Sequence, residues 1–306
     1  MSQTDADALA LRLLGSDASV APVVPLIADR ARGNALFIEE LVRQLEESGN
    51  LAGERGAYLL QRTPDMRMIP DTVQAIIGAR IDSRPELEKS TLQGAAVIGR
   101  EFTDELLACL TGKSSSELRP VLRDLSSAGL MYEDTDSQGV WAFKHPMMQE
   151  VAYRSMLSEH RRALHRTVAA EQQKCYPDPN GAQATLIAYH WEEAGDTMQA
   201  IDSSMKAAAW YGTGDVAHPV EWDKVRDPAH ALDAWKRVHR LLAMVSLDWA
   251  AQQQLLVACG QVINFGWREG LSAVDLKPYY VEALGCRLIS SEPKSGRGDF
   301  DHGKVV

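Results

Sequence analysis

Apolar side chains recur every three or four positions through most of this chain, a period that predicts a string of amphipathic helices. Residues 4–14 read as a short helix, and the polar turn GSDASVAP follows, with Pro22 and Pro25 preparing another start. Leu26, Ile27 and Arg30 precede a break at Gly33-Asn34. Leu36, Phe37, Leu41, Val42 and Leu45 then share one helical face that Gly49 ends. The stretch NLAGERGAYLLQRTPDM, with its glycines, short apolar run and proline, predicts a hairpin or loop. Asp71 stands where an N-cap would, ahead of Val73, Ile76, Ile77 and Ile81. Three more helices are predicted, from Pro85 to Gly99, from near Thr103 to Gly112, and from about Ser116 to Gly129. LMYEDTDSQGVWAFKH then changes the period: two β-prone runs flank an acidic, glycine-containing turn, as in a hairpin.

Three short helices followed by a hairpin is the element order of a winged helix. The helical period returns at Pro146, passes through Val151, Tyr153 and Leu157, and continues in a basic helix around Arg161, Arg162 and Arg166. Residues 176–181, with two prolines, an Asn and a Gly, form the best linker in the chain. Beyond it two helices turn at Gly195-Asp196, a second pair runs from Asp227 to Phe265 with a separation near Ser246, and a partial third begins at Leu271. Small Ala residues alternate there with bulky Tyr189, Trp191, Met205 and Trp210, which is what stacked helical hairpins require. Residues 212–227 are expected to form a loop between the pairs, and the polar, glycine-rich end of the chain a disordered tail. The expected fold is therefore mainly α: a winged helix with one β-hairpin, followed by tetratricopeptide-like α-hairpin repeats. The expected segments are 1–84, 85–174, 182–288 and a tail at 289–306.

Composition narrows the function classes. At 306 residues and 45% hydrophobic content the chain can bury about two cores. A net charge of -10 repels nucleic-acid phosphates and anionic lipid, although a local basic patch is compatible with it. The N-terminal residues lack a basic signal-peptide region, and no apolar run reaches the roughly 18 residues of a membrane helix, so a cytoplasmic location is expected. Cys109, Cys175, Cys259 and Cys286 stand in no paired metal or redox spacing and read as reduced, mostly buried thiols.

The chain presents no complete catalytic motif. Thr111-Gly112-Lys113-Ser114 imitates the end of a phosphate loop, but Leu107 occupies the place of the loop's first glycine, inside a helical run, so a turn at a helix end is expected. No two of the eight histidines have the i, i+4 spacing of a helical metal site. No nucleophile elbow or cysteine–histidine arrangement is evident, and Glu39-Glu40 and Glu192-Glu193 read as solvated helix faces. Arg297-Gly298-Asp299 imitates an adhesion signal that has no use inside a cell. DNA is the rival partner for a winged helix. Its recognition helix would lie near 114–128, with Lys113, Arg119 and Arg123 set against Glu117 and Asp124, yet its wing carries Glu133, Asp134 and Asp136 and no base.

Four ordered motifs carry a family resemblance over about residues 20–285: GNALFIEEL from Gly33, IPDTVQA from Ile69 with ARID from Ala79, AAVIGREF from Ala95, and FKH from Phe143 leading to QEVAY from Gln149. Together they resemble the signal-transduction ATPases with numerous domains, notably the region that follows the catalytic domain in bacterial class III adenylate/guanylate cyclases; large LuxR-type regulators share much of it. The resemblance implies that 1–84 derives from an ATPase lid, that the winged helix closes over nucleotide, and that Gly33, Asn34 and His145 take part in nucleotide sensing. Ala35 replaces the family's usual proline, and Pro146 follows the histidine where an acid is common. The family's phosphate loop, magnesium-binding acid and cyclase domain are not in this sequence, so no catalysis and no cofactor are expected of this chain; ATP or ADP belongs to a full-length parent. The expected role is a non-catalytic regulatory scaffold that binds a protein partner or adjoining domains and is capable of self-association. The alternative is a fragment of a LuxR-type ATPase transcription regulator that reaches DNA.

Overall fold

The computed structural model describes residues 1–65, 69–212, 224–245 and 248–290, the last four of these as backbone only. The fold is mainly helical with small antiparallel sheets. Contacts divide it into two units, 1–161 and 162–306. The first unit takes in the expected segment 1–84 and most of 85–174, and the division falls inside a helix instead of at the 176–181 linker.

In the first unit, α1 (Gln3–Leu14), α2 (Val23–Ala31) and α3 (Ala35–Glu47) pack on one another, and the hairpin β1 (Leu51–Glu54) and β2 (Ala57–Leu60) lies against α1 and α3. The apolar face read from the sequence is the buried face of α3, with Phe37, Leu41, Val42 and Leu45 inside. The next helix, α4 (Val73–Asp82), is capped by Thr72, whose hydroxyl accepts from the Ala75 N–H at 3.2 Å. The cap expected at Asp71 is thus displaced by one residue, and Asp71 pairs with Arg30 at 2.8 Å. A threonine hydroxyl in extended conformation also serves as an N-cap, so spacing alone did not separate the two neighbours.

Helices α5 (Glu86–Ile98), α6 (Asp104–Thr111) and α7 (Ser115–Ser127) pack mutually. Three strands, β3 (Glu101–Thr103), β4 (Met131–Glu133) and β5 (Val140–Phe143), form an antiparallel sheet in the order β3-β5-β4. The β4–β5 hairpin was legible in the sequence. The three residues of β3 fall in the short gap between two predicted helices and become a strand because their register pairs with β5, Phe102 opposite Trp141. The turn 112–114 lies between helix ends: Gly112 is left-handed at the end of α6, and Ser114 forms a capping box with Glu117 at the start of α7. α8 (Pro146–Arg154) packs on α4 and α5.

In the second unit, α9 (Ser158–Cys175) contributes its C-terminal part, and α10 (Gly181–Ala194), α11 (Thr197–Tyr211), α12 (Pro228–Leu242), α13 (Trp249–Arg268) and α14 (Ala273–Ser290) each pack on the next. Gly195, in left-handed conformation, makes the predicted turn between α10 and α11. The core is built from Ala184, Ala200, Ala208 and Ala231 set among Trp191, Trp235, Leu255 and Phe265, the small-and-large alternation seen in the sequence. Of that pattern Tyr189 stays exposed. Residues 213–223 of the expected loop, the separation at Ser246, the Arg-Gly-Asp tripeptide and the tail from 291 lie outside the described residues.

Candidate functional site

Three helix starts meet around one groove of the first unit. The groove, about 990 Å³ and open to solvent, is lined among others by Arg30, Arg32, Asn34, Thr72, Gln74 and Met147. Asn34 caps α3, accepting from the Phe37 N–H at 3.3 Å, and Thr72 caps α4. Met147 lies in the first turn of α8, which His145 caps. Helix N-termini carry partial positive charge, and Arg32 stands among them, whereas Arg30 is held by Asp71. Asp29 and Asp71 line it as well and balance the two guanidinium charges, so its positive character comes from the helix starts.

The expected sensing residues have these positions. Asn34 is exposed in the groove. Gly33 has φ +79, and a Cβ there would lie 2.6 Å from the Met1 carbonyl oxygen; the close approach that needs a glycine is made by the chain's own backbone. His145 is half-buried at the end of β5, and its Nδ1 accepts from the Met147 N–H at 3.1 Å. In the neutral ring that bond places the proton on Nε2, a donor. The fold thus brings Asn34 and the helix start capped by His145 to one groove.

One glutamate of each acidic pair departs from the expected solvated face, while Glu193 is exposed as expected. Glu40 is not solvated: it is 3% exposed and ion-paired with Arg80, itself 4% exposed. Arg80 also donates to the Ala128 carbonyl at the end of α7, as Arg43 does at 2.7 Å. Gly129 permits this, because a Cβ there would lie 2.2 Å from Arg43 Nη1. Glu192 is half-buried and bridges α10 to α12, taking Arg237 at 2.9 Å and Arg240 at 2.7 Å. Burial raises its carboxyl pKa, but the bonds from Arg240 and Arg237 outweigh that and hold it below the usual range. A helical period reports which residues share a face, and these partners come from other helices.

The β4–β5 turn keeps Glu133 and Asp136 exposed. Behind it the Nε of half-exposed Arg119 is drawn to Asp104, 1% exposed, at 3.2 Å, which balances the charge of one of the bases of α7. At the far end of the second unit, α14 is apolar on two faces. Leu276 and Cys286 are buried and Tyr279 and Ala283 pack against the core, while Val274, Tyr280, Val281 and Leu284 are exposed. The exposed four share one side of the helix, with the exposed Lys277 among them.

Two cysteines, Cys109 and Cys175, are exposed and two are buried, so the expectation of mostly buried thiols holds for Cys259 and Cys286 alone. Among the described residues one set could hold a metal: His239 of α12, Cys259 of α13 and Glu282 of α14. Local spacing gave no such set, since the three are 20 or more positions apart. No helix of the described residues is long and apolar enough to cross a membrane. A scan against models of protein families and a search of curated proteins both return no match for this chain.

Proposed function

We propose that this chain is a non-catalytic regulatory scaffold, a segment of a signalling ATPase of the cyclase-associated kind, that relays nucleotide state or partner binding through a winged helix and tetratricopeptide-like repeats. The observation that carries this reading is the double-faced helix α14. An amphipathic helix buries one apolar stripe; a second set of apolar side chains left to solvent is the surface a further helix or a partner protein covers. The order of α5, α6, α7 and the β4–β5 hairpin supports the winged helix, and the serial packing of α10 to α14 supports the repeats. The groove at Asn34 supports the sensing role: it offers helix dipoles and Arg32 but no phosphate loop, and Arg30 is held by Asp71, which suits contact with a phosphate held by another domain and is too little to bind free nucleotide tightly.

The test pans a library of amphipathic helical peptides on the full chain and titrates the same chain with duplex DNA over a range of salt. The expected result is enrichment of apolar helical peptides whose binding is insensitive to salt and lost in Val281→Asp. Duplex binding with a steep negative salt slope, and no peptide sensitive to Val281→Asp, would overturn the reading in favour of the DNA-contacting regulator.

A further inference from the structure

We propose that His239, Cys259 and Glu282 form a structural binding site for a zinc-like divalent cation that staples α12, α13 and α14 together. One donor comes from each of three successive helices, and the candidate ligand atoms all lie within 4.8 Å of one another. The Nε2 of His239 is 2.6 Å from Oε2 of Glu282, and that oxygen is 4.0 Å from the Sγ of Cys259. Metal–ligand bonds of about 2.0–2.3 Å place tetrahedral donors roughly 3.3–3.8 Å apart, so the set closes on an ion with side-chain movements of about 1 Å.

The donor set selects the metal class. A thiolate with an imidazole and a carboxylate suits zinc, and it suits calcium or magnesium poorly because those demand oxygen. Cys259 is fully buried, while His239 and Glu282 are partly exposed and give an ion a way in. Cys286 lies one helical turn beyond Glu282 and is buried, but it stands outside the set of three, so Cys259 is the one thiol among the donors. The edge of the Tyr279 ring meets the His239 ring, with centroids 4.8 Å apart, and holds the imidazole in place. On binding, the Cys259 thiol proton passes to solvent as the sulfur–metal bond forms.

The competing description is a hydrogen-bonded His–Glu pair beside an inert thiol. The full chain, stripped with a chelator, is titrated with cobalt(II) as a spectroscopic substitute and with zinc in competition. The expected result is one cobalt per chain with a thiolate-to-cobalt charge-transfer band, displaced by zinc, together with a zinc-dependent rise in Tm. Cys259→Ser should abolish the band, and His239→Gln should weaken zinc binding by more than about 100-fold, since even outer-shell changes cost 10–100-fold. The double variant Cys109→Ser, Cys175→Ser removes the exposed thiols and should leave the band intact; circular dichroism confirms that each variant is folded. Absence of a charge-transfer band in the folded wild-type chain, or its persistence in Cys259→Ser, would overturn the site.

Discussion

Arg80 is the side chain on which most of the first unit's buried charge depends. It pairs with buried Glu40 and donates to the Ala128 carbonyl at the end of α7, so truncating it strands a carboxylate in the core. Arg80→Met is expected to cost about 3–5 kcal/mol, the usual effect of leaving one buried partner alone, measured by urea unfolding. A second residue ties stability to pH. His190 is fully buried with its Nδ1 2.9 Å from that of His165, and burial, then the neighbouring His165, pushes its pKa down from 6.5 to about 3. Between those values the unfolded chain takes up a proton that the folded chain refuses. Stability is therefore complete above about pH 6.5 and falls as the pH drops toward 3, by about 2 kcal/mol at pH 5. Unfolding at pH 7 and pH 5 checks this, and His190→Asn should remove most of the slope; an unchanged slope in that variant would place its origin elsewhere.

At the scale of elements, close backbone approach shapes the pairing of α10 with α11. Gly181, the first residue of α10, meets the end of α11, where a Cβ would lie 2.5 Å from the Tyr211 ring and 2.6 Å from that of Trp210. Aromatic rings packed between helices have little freedom to retreat, so Gly181→Ala is expected to destabilise the chain by about 1–3 kcal/mol despite alanine's better helix propensity. A gain in stability on thermal unfolding would show that the rings yield. Most helix limits were already written in the sequence, because caps such as Thr103, Gly112 and Gly195 act within one turn of their own position. The strand β3 was not, since three residues become a strand only when β5 arrives to pair with them.

For the molecule as a whole, the exposure of Val274, Tyr280, Val281 and Leu284 on one side of α14 predicts association. The full chain is expected to show concentration-dependent mass in sedimentation equilibrium, and Val281→Asp to return it to a monomer; a wild-type chain that stays monomeric at high concentration would contradict this. Sequence alone determined the helical character, the turns and the two apolar patterns, because periodicity and capping are local and survive without knowledge of neighbours. Tertiary structure alone decided which polar residues meet. Glu40 looked solvated until Arg80 arrived from α4, and His239, Cys259 and Glu282 converge from three helices. Asn34 and Met147 share a groove although more than a hundred residues separate them. The physical reason is that a helical period fixes a side chain's direction about its own axis, whereas the partner in that direction depends on how the helices pack.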